Sequence, residues 1–159
     1  MIKLRTLKAA DVAQIQNWPA YPPEFEGLDY ALRAGGWIDE YRNKPATWIY
    51  MAEQKGKALG FSILSKTGEA EAEFRIALRA DITGQGLGTM ITRMTLDKGF
   101  AGFASSRIHL IVRRNNPRAI SLYKRIGFIE NGACMKNVNG RLVDFLTMDI
   151  TRTSYKANT

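Results

Sequence analysis

Residues 83–89 read Thr-Gly-Gln-Gly-Leu-Gly-Thr and separate two contrasting patterns. Before them, residues 71–78 are typical of a strand, and after them apolar residues recur at helical spacing. The glycines therefore predict a strand-to-helix turn whose backbone a ligand can approach without meeting a Cβ atom. The first N–H groups of a helix lack backbone partners and carry partial positive charge. Such a turn is a candidate site for a phosphate or pyrophosphate.

Two better-known phosphate loops do not match this turn. A P-loop has Lys followed by Ser or Thr after its last glycine, whereas here Thr89 follows Gly88 directly. The dinucleotide-binding fingerprint spaces its glycines differently and has an acidic residue about 20 positions later. Taken alone, glycines before a helix can also be no more than a turn.

A second motif follows within 30 residues. Residues 107–112 form an apolar strand pattern, and residues 116–128 read Asn-Pro-Arg-Ala-Ile-Ser-Leu-Tyr-Lys-Arg-Ile-Gly-Phe. Asn116 suits a helix N-cap, Pro117 suits the first helical position, and Gly127 suits the end of the helix. The pattern predicts an amphipathic helix that directs the Tyr123 ring inward.

The two motifs together resemble the GNAT superfamily of N-acetyltransferases. That superfamily has a Gln/Arg-x-x-Gly-x-Gly/Ala turn after its fourth strand and an Asn-x-x-Ala-x-x-Leu-Tyr-x-x-x-Gly-Phe helix after its fifth. This chain departs from the first pattern at Thr83, which stands where the family has Gln or Arg. The segments 72–74, 97–100 and 139–141 resemble the branch that contains spermidine and ribosomal-protein alanine N-acetyltransferases.

The resemblance implies a mixed α/β (α+β) fold with a mostly antiparallel sheet. We expect about seven strands and about four helices, with strands four and five splayed apart at the cofactor site. The sequence indicates one domain over residues 1–150 and a frayed, polar tail over 151–159. It also predicts a helix over about 29–41 that the pair Gly35-Gly36 weakens or breaks.

The resemblance also implies the residues that bind acetyl-CoA, the expected cofactor. The backbone of β-strand residues holds the pantetheine arm, the turn holds the pyrophosphate, and a polar residue contacts the arm from the fifth-strand side. The expected cofactor-binding residues are Ile76, Ala77, Leu78, Gly84, Gln85, Gly86, Leu87, Gly88, Thr89 and Asn116.

The proton transfers need an acid and a base. Tyr123 stands where the family has its general acid, and a phenol with a pKa near 10 can protonate a departing thiolate with a pKa near 8.5. The base position of related protein acetyltransferases corresponds to Ile111, which has no ionisable group. We expect Glu73 to act as the base, with Glu71 and His109 as weaker candidates.

The composition and the charge of the chain limit the classes of ligand and partner that it can be expected to bind. The chain has 159 residues and a net charge of +8, of which residues 1–80 carry +1 and residues 81–159 carry +7. The more basic half contains the glycine turn and would attract an anionic cofactor. The high isoelectric point also suits nucleic acids, but no nucleic-acid-binding motif accompanies it. The single Cys134, the lack of a metal-ligand cluster and the lack of a long apolar run favour a cytoplasmic protein without a metal or a membrane anchor.

The sequence predicts direct acetyl transfer from acetyl-CoA to a primary amine, either a protein N-terminus or a small molecule. A polyamine is the alternative acceptor, favoured by acidic residues in the expected acceptor segment and opposed by the positive net charge. Those residues are Glu24, Glu26, Asp29, Asp39 and Glu40. A non-catalytic sensor of coenzyme A has the same motifs, and a homodimer is left open.

Overall fold

The computed structural model describes residues 1–157, apart from the side chain of Glu26. Its strands are β1 (Ile2–Thr6), β2 (Thr47–Gln54), β3 (Lys57–Gly68), β4 (Glu71–Leu78), β5 (Arg107–Arg113), β6 (Ile129–Val138) and β7 (Arg141–Thr151). They hydrogen-bond in the order β1-β2-β3-β4-β5-β7-β6. The expected fold class, a mixed and mostly antiparallel sheet of seven strands, is confirmed.

The described residues contain six α-helices rather than about four. They are α1 (Ala9–Gln16), α2 (Glu26–Asp29), α3 (Trp37–Tyr41), α4 (Leu87–Asp97), α5 (Pro117–Ile126) and α6 (Arg152–Ala157). Helix α4 continues into a π-helical turn at Lys98–Gly102. None of the helices in residues 1–157 is long and apolar enough to cross a membrane.

The helix expected over residues 29–41 is broken at its glycine pair. Gly35 has a left-handed φ of 78°, and α3 begins immediately after Gly36. A Cβ atom on Gly36 would lie 2.0 Å from the carbonyl oxygen of Tyr30. Only glycine fits there, so the chain turns sharply between the two short helical pieces.

Two hairpins have two-residue turns with both central residues left-handed. Lys55 and Gly56 have φ values of 52° and 76°, and Asn139 and Gly140 have 51° and 83°. These values are typical of type I′ turns, whose twist matches that of the flanking strands.

Parallel pairing between β4 and β5 is short. It covers three residue pairs, from Glu71 opposite Arg107 to Glu73 opposite His109. Strand β5 pairs with β7 over all seven of its residues, Arg107–Arg113. The limited ladder agrees with the expected divergence of strands four and five.

By its internal contacts, the chain divides into two compact units, and the expectation of one domain over residues 1–150 stays a prediction. The first unit is Met1–Lys66 with Phe74–Thr95, and the second is Thr67–Glu73 with Leu96–Thr159. The first has a core on each side of its strands. One core includes Ile15, Leu32, Ile38, Phe61 and Ile63, and the other includes Ile2, Leu59, Ile82 and Ile91.

The C-terminal segment corrects the expectation of a frayed tail. Residues Arg152–Ala157 form α6, and Tyr155 is only 5% exposed. The Tyr155 hydroxyl donates a 2.8 Å hydrogen bond to Asp97, and its ring lies 5.3 Å from that of Phe100. Arg152 also holds the segment, since its guanidinium donates a 2.6 Å hydrogen bond to the carbonyl oxygen of Phe100. Long-range contacts thus anchor a polar segment, which average polarity does not reveal. Residues 158 and 159 lie outside the described part of the chain.

Strand β6 lies at the edge of the sheet and is largely exposed. Ile129 is 65% exposed and Met135 is 57% exposed. The pairing of β6 with β7 shifts register between Glu130 and Gly132, which marks a β-bulge at that point.

Replacing Gly60 with Ala is expected to lower the free energy of unfolding by about 1–3 kcal/mol. A Cβ atom on Gly60 would lie 2.5 Å from the carbonyl oxygen of Ala77 in β4, so a backbone strand must move. Gly102→Ala is the matched control, because its Cβ would meet nothing within 4 Å. Urea unfolding of both variants tests this, and equal losses of stability would contradict it.

Candidate active site

The C-terminal half of β4 carries the expected pantetheine contacts. Ala77 is buried in the core, whereas Ile76 and Leu78 are partly exposed. The Tyr21 hydroxyl donates a 2.7 Å hydrogen bond to the carbonyl oxygen of Leu78. The sequence does not indicate this contact, because 57 residues separate Tyr21 from Leu78 and no local pattern links them.

The glycine turn has the geometry of an open backbone cradle. Gly84 and Gly86 have left-handed φ values of 83° and 77°, and both are exposed. Helix α4 begins at Leu87, and Met90 N–H is bonded back to the carbonyl oxygen of Gly86 at 3.4 Å. The amides of the first helical turn precede such bonds and are directed out of the helix end. A Cβ on Gly86 would meet nothing within 4 Å, so the space beside the turn is open.

Thr83, the departure from the family pattern, makes a hydrogen bond within the chain. Its hydroxyl donates a 3.4 Å hydrogen bond to the carbonyl oxygen of Ala80 in the preceding 3₁₀ turn. The side chain thus closes the short turn at the end of β4.

A cavity of about 430 Å³ adjoins the turn within the first unit. Its lining includes Gln85 and Leu87 from the turn, together with Lys55 and Lys57 from the β2–β3 hairpin. Two cationic side chains therefore share one cavity with the start of α4. The position of this hairpin beside the turn depends on the strand register, which the sequence does not display.

In the second unit, Asn116 and Tyr123 are both positioned by α5. The Asn116 side-chain oxygen accepts a 3.3 Å hydrogen bond from Ala119 N–H, so the predicted N-cap is confirmed. Because the cap uses the oxygen, the Asn116 amide nitrogen is the atom suited to bind a ligand carbonyl. The Tyr123 ring is 8% exposed and lies edge-on to Phe128, with 5.6 Å between ring centroids. Packing therefore holds the phenol ring in one orientation.

Glu73 and His109 face each other across the parallel ladder of the second unit. The His109 Nε2 atom lies 2.8 Å from the Thr67 hydroxyl. Burial, together with the charge of Arg107, holds the pKa of His109 below its usual value, against the opposing effect of nearby carboxylates that include Glu73. His109 is therefore neutral at pH 7.

Glu71, the other carboxylate considered as a base, is engaged elsewhere. Its side chain pairs with Arg107 at 3.1 Å, and Arg107 also pairs with Asp149 at 2.7 Å. Among the expected residues, the first unit contains Ile76–Leu78 and the glycine turn, and the second contains Glu73, Asn116 and Tyr123.

An aromatic and cationic cluster in the first unit was not predicted as such. The Arg75 guanidinium lies 4.9 Å from the Trp37 ring centroid and 5.8 Å from that of Tyr41. Its Nε donates a 3.2 Å hydrogen bond to the Tyr41 hydroxyl. We call Arg75, Trp37 and Tyr41 the arginine box.

The acidic residues near this box have partners within the chain. Asp29 pairs with Arg33 at 2.7 Å, and Asp39 pairs with Arg42 at 3.2 Å. The Tyr30 hydroxyl donates a hydrogen bond to Glu40, and this bond, with burial, raises the pKa of Tyr30 to about 12. The side chain of Glu26 lies outside the described part of the chain.

Comparison with known families gives one match that covers most of the chain. Residues 10–128 match the model of the acetyltransferase (GNAT) family. Spermidine N(1)-acetyltransferase of Escherichia coli K12 is 32% identical over 165 residues, covering 98% of this chain and 89% of that protein. The Vibrio cholerae enzyme of the same name is 33% identical over 86 residues, covering 53% of this chain and 50% of that protein.

Solved structures give the same fold. A spermidine/spermine N-acetyltransferase from Vibrio cholerae superposes with a TM-score of 0.76 at 24% identity, covering 99% of this chain and 96% of the other. The Vibrio cholerae spermidine N-acetyltransferase in complex with CoA and spermine superposes with a TM-score of 0.75 at 24% identity, over 98% of each chain.

Proposed function

Because the chain belongs to the GNAT family of acetyltransferases, and so transfers acetyl groups from acetyl-CoA to amines, we propose that its acceptor is a small-molecule primary amine. The Escherichia coli relative, which matches nearly the whole chain, is a spermidine acetyltransferase, and spermidine is a small-molecule amine. The same likeness makes a polyamine the second candidate.

The carrying observation is the shared cavity at the glycine turn. Lys55, Lys57 and the backbone that begins α4 adjoin one space, and coenzyme A has phosphate groups that such a set binds. The open space beside Gly86 supports the same assignment, since no side chain fills it. Acetyl-CoA supplies a thioester carbonyl that an amine can attack, and the chain's task is to hold it and manage two protons.

We assign those proton transfers to side chains of the second unit. Tyr123 Oη donates a proton to the departing sulfur, because the ring is fixed by packing and a phenol is a suitable acid for a thiolate. Glu73 accepts a proton from the ammonium group of the acceptor, directly or through one water molecule, and the neutral amine that results attacks the thioester carbonyl. His109, which is neutral at pH 7 and lies opposite Glu73, is a second acceptor on the same ladder.

An amine panel tests the proposed acceptor. Free-thiol release from acetyl-CoA is measured with monoamines, polyamines and peptides that have free N-termini, and thermal shift with acetyl-CoA alone is measured in parallel. We expect thiol release with at least one small-molecule amine and a higher melting temperature with acetyl-CoA. Release with peptides alone would replace the proposed acceptor by a protein N-terminus. If acetyl-CoA raised the melting temperature but no amine caused thiol release, the protein would be a non-catalytic sensor of coenzyme A rather than an acetyltransferase.

A further inference from the structure

We propose that Tyr21 is a positioning residue that links the binding of the two substrates. Its hydroxyl ties the loop after α1 to the edge of β4 on which the pantetheine arm of acetyl-CoA is expected to bind. The inference rests on the proposed function and adds a residue that lies outside both sequence motifs.

The half of β4 that carries the expected pantetheine contacts has one open edge. Its other edge is paired with β3, and just after β4 the Arg79 N–H donates a 2.9 Å hydrogen bond to the carbonyl oxygen of Leu59. Backbone groups of successive strand residues point to opposite edges, so those of Leu78 and Ile76 point away from β3. The ladder with β5 ends at Glu73, so these groups have no strand partner in the part of the chain that the structure describes.

An open edge of this kind suits the chemistry of the cofactor. The pantetheine arm is an extended chain with two amide groups, and an open strand edge binds extended amide chains through backbone hydrogen bonds. The glycine turn follows β4 in the chain. The arm and the phosphate groups would therefore bind to consecutive parts of one backbone.

The Tyr21 hydroxyl lies at this edge. It donates a 2.7 Å hydrogen bond to the carbonyl oxygen of Leu78, while its ring packs against the core that contains Ala77 and Phe61. The phenol thus extends from the core face of the sheet to its edge. Because a carbonyl oxygen has two lone pairs, Leu78 can accept from Tyr21 and from an amide of the arm at the same time.

The backbone of Tyr21 is held as well. Its N–H donates a 3.2 Å hydrogen bond to Asp29, whose carboxylate pairs with Arg33 at 2.7 Å. Arg33 in turn donates to the carbonyl oxygens of Gln16 and Trp18, at 2.8 and 3.0 Å, where α1 ends. These residues form one hydrogen-bonded network, and the Tyr21 hydroxyl joins that network to β4.

This arrangement couples the cofactor edge to the acceptor segment. Asp29 belongs to the expected acceptor segment, and the carbonyl of Leu78 belongs to the edge expected to bind the arm. Acetyl-CoA that binds the Leu78 carbonyl fixes the group that holds Tyr21, and a fixed Tyr21 holds the loop. Coupling between two binding events is reciprocal in free energy, so the loop in turn favours the bound cofactor.

The first test is hydrogen exchange in Tyr21→Phe, which keeps the ring and removes the hydroxyl. Exchange of the loop amides is measured with and without acetyl-CoA; these amides are those of Ala20, Tyr21, Glu24 and Phe25. We expect acetyl-CoA to slow their exchange about threefold or more in wild type, because binding holds the loop. In Tyr21→Phe, whose loop amides are compared at the same positions, we expect almost no response.

Steady-state kinetics with the best amine of the panel gives a second readout. We expect the KM for the amine to rise about fivefold in Tyr21→Phe and kcat to stay within about twofold, because the proton-transfer groups are unchanged. Tyr155→Phe is the matched control, since its hydroxyl donates a 2.8 Å bond to Asp97, also distant in sequence, within the second unit. The control is expected to keep both KM and the exchange response.

An equal exchange response in wild type and Tyr21→Phe, or an unchanged KM in the variant, would overturn the inference while leaving amine acetylation in place. A lower melting temperature and a lower kcat without a change in KM would make the hydroxyl merely structural, and would also overturn it. Wild-type protein that binds acetyl-CoA but releases no thiol with any amine would instead overturn the proposed function. The exchange measurement needs no turnover, so it would still decide whether Tyr21 transmits cofactor binding to the loop.

Discussion

Replacing Tyr123 with Phe is expected to lower kcat by about 10²–10⁴ while the affinity for acetyl-CoA barely changes. The substitution keeps the ring that packs edge-on against Phe128 and removes only the hydroxyl. If the phenol donates the proton to the departing sulfur, the transition state loses that donor and the ground state does not. Steady-state kinetics with the best amine of the panel, together with calorimetry of acetyl-CoA binding, measures both quantities.

Stability separates this role from a structural one. Loss of one hydroxyl hydrogen bond costs about 1 kcal/mol, so Tyr123→Phe is expected to unfold only slightly more easily than wild type. Tyr155→Phe is the matched control, since it removes the hydroxyl that donates to Asp97 and has no proposed part in catalysis. We expect the control to lose stability and keep kcat. Wild-type turnover in Tyr123→Phe would mean that the proton comes from water or another group.

The second large effect is expected at the glycine turn. Gly86→Glu is expected to weaken acetyl-CoA binding by about 10²-fold or more, because a carboxylate would lie beside the phosphate groups. Gly86 is exposed, and a Cβ atom there meets nothing within 4 Å, so the new side chain extends into the space proposed for the cofactor. Isothermal titration calorimetry at low and moderate salt measures the loss directly.

Two control variants separate the effect of the added charge on acetyl-CoA affinity from the effect of backbone strain. Gly86→Gln has the same shape without the charge, and it carries the same penalty for a left-handed φ of 77°. Gly140→Glu adds a carboxylate at a comparable φ of 83° in the β6–β7 turn. We expect an intermediate loss of affinity for the first and none for the second. If Gly86→Glu bound acetyl-CoA as tightly as wild type, the pyrophosphate would not bind at this turn.

Local patterns predicted the parts of the fold that local interactions determine. Strand β4 begins and ends where the apolar alternation does, at Glu71 and Leu78. The glycine turn and the Asn116 cap depend on backbone conformations that only a few residue types favour, so the residue types at these positions predict both features. In the two type I′ hairpin turns, Gly56, Asn139 and Gly140 are residue types that adopt a positive φ at low cost, whereas Lys55 is not.

The remaining features depend on pairs that are distant in sequence. Tyr21 reaches Leu78, Lys55 reaches the edge of the glycine turn, and Tyr155 reaches Asp97. Each pairing is set by how the helices and strands pack after they form. From the sequence alone, the same residues could equally be polar groups exposed to solvent. The tail was expected to fray because its composition is polar, and the contacts of Arg152 and Tyr155 that anchor it are with residues distant in sequence.

The bulge in β6 has a consequence for colloidal behaviour. A long strand at the edge of a sheet offers unpaired backbone groups that can recruit a strand from another molecule. Here the shift at Glu130–Gly132 bends the edge, and the charge of Lys136 lies next to exposed Met135. Natural sheets use bulges and edge lysines to prevent such recruitment. We therefore expect the bulge and Lys136 to limit association of folded molecules through the exposed edge of β6, even in concentrated solution.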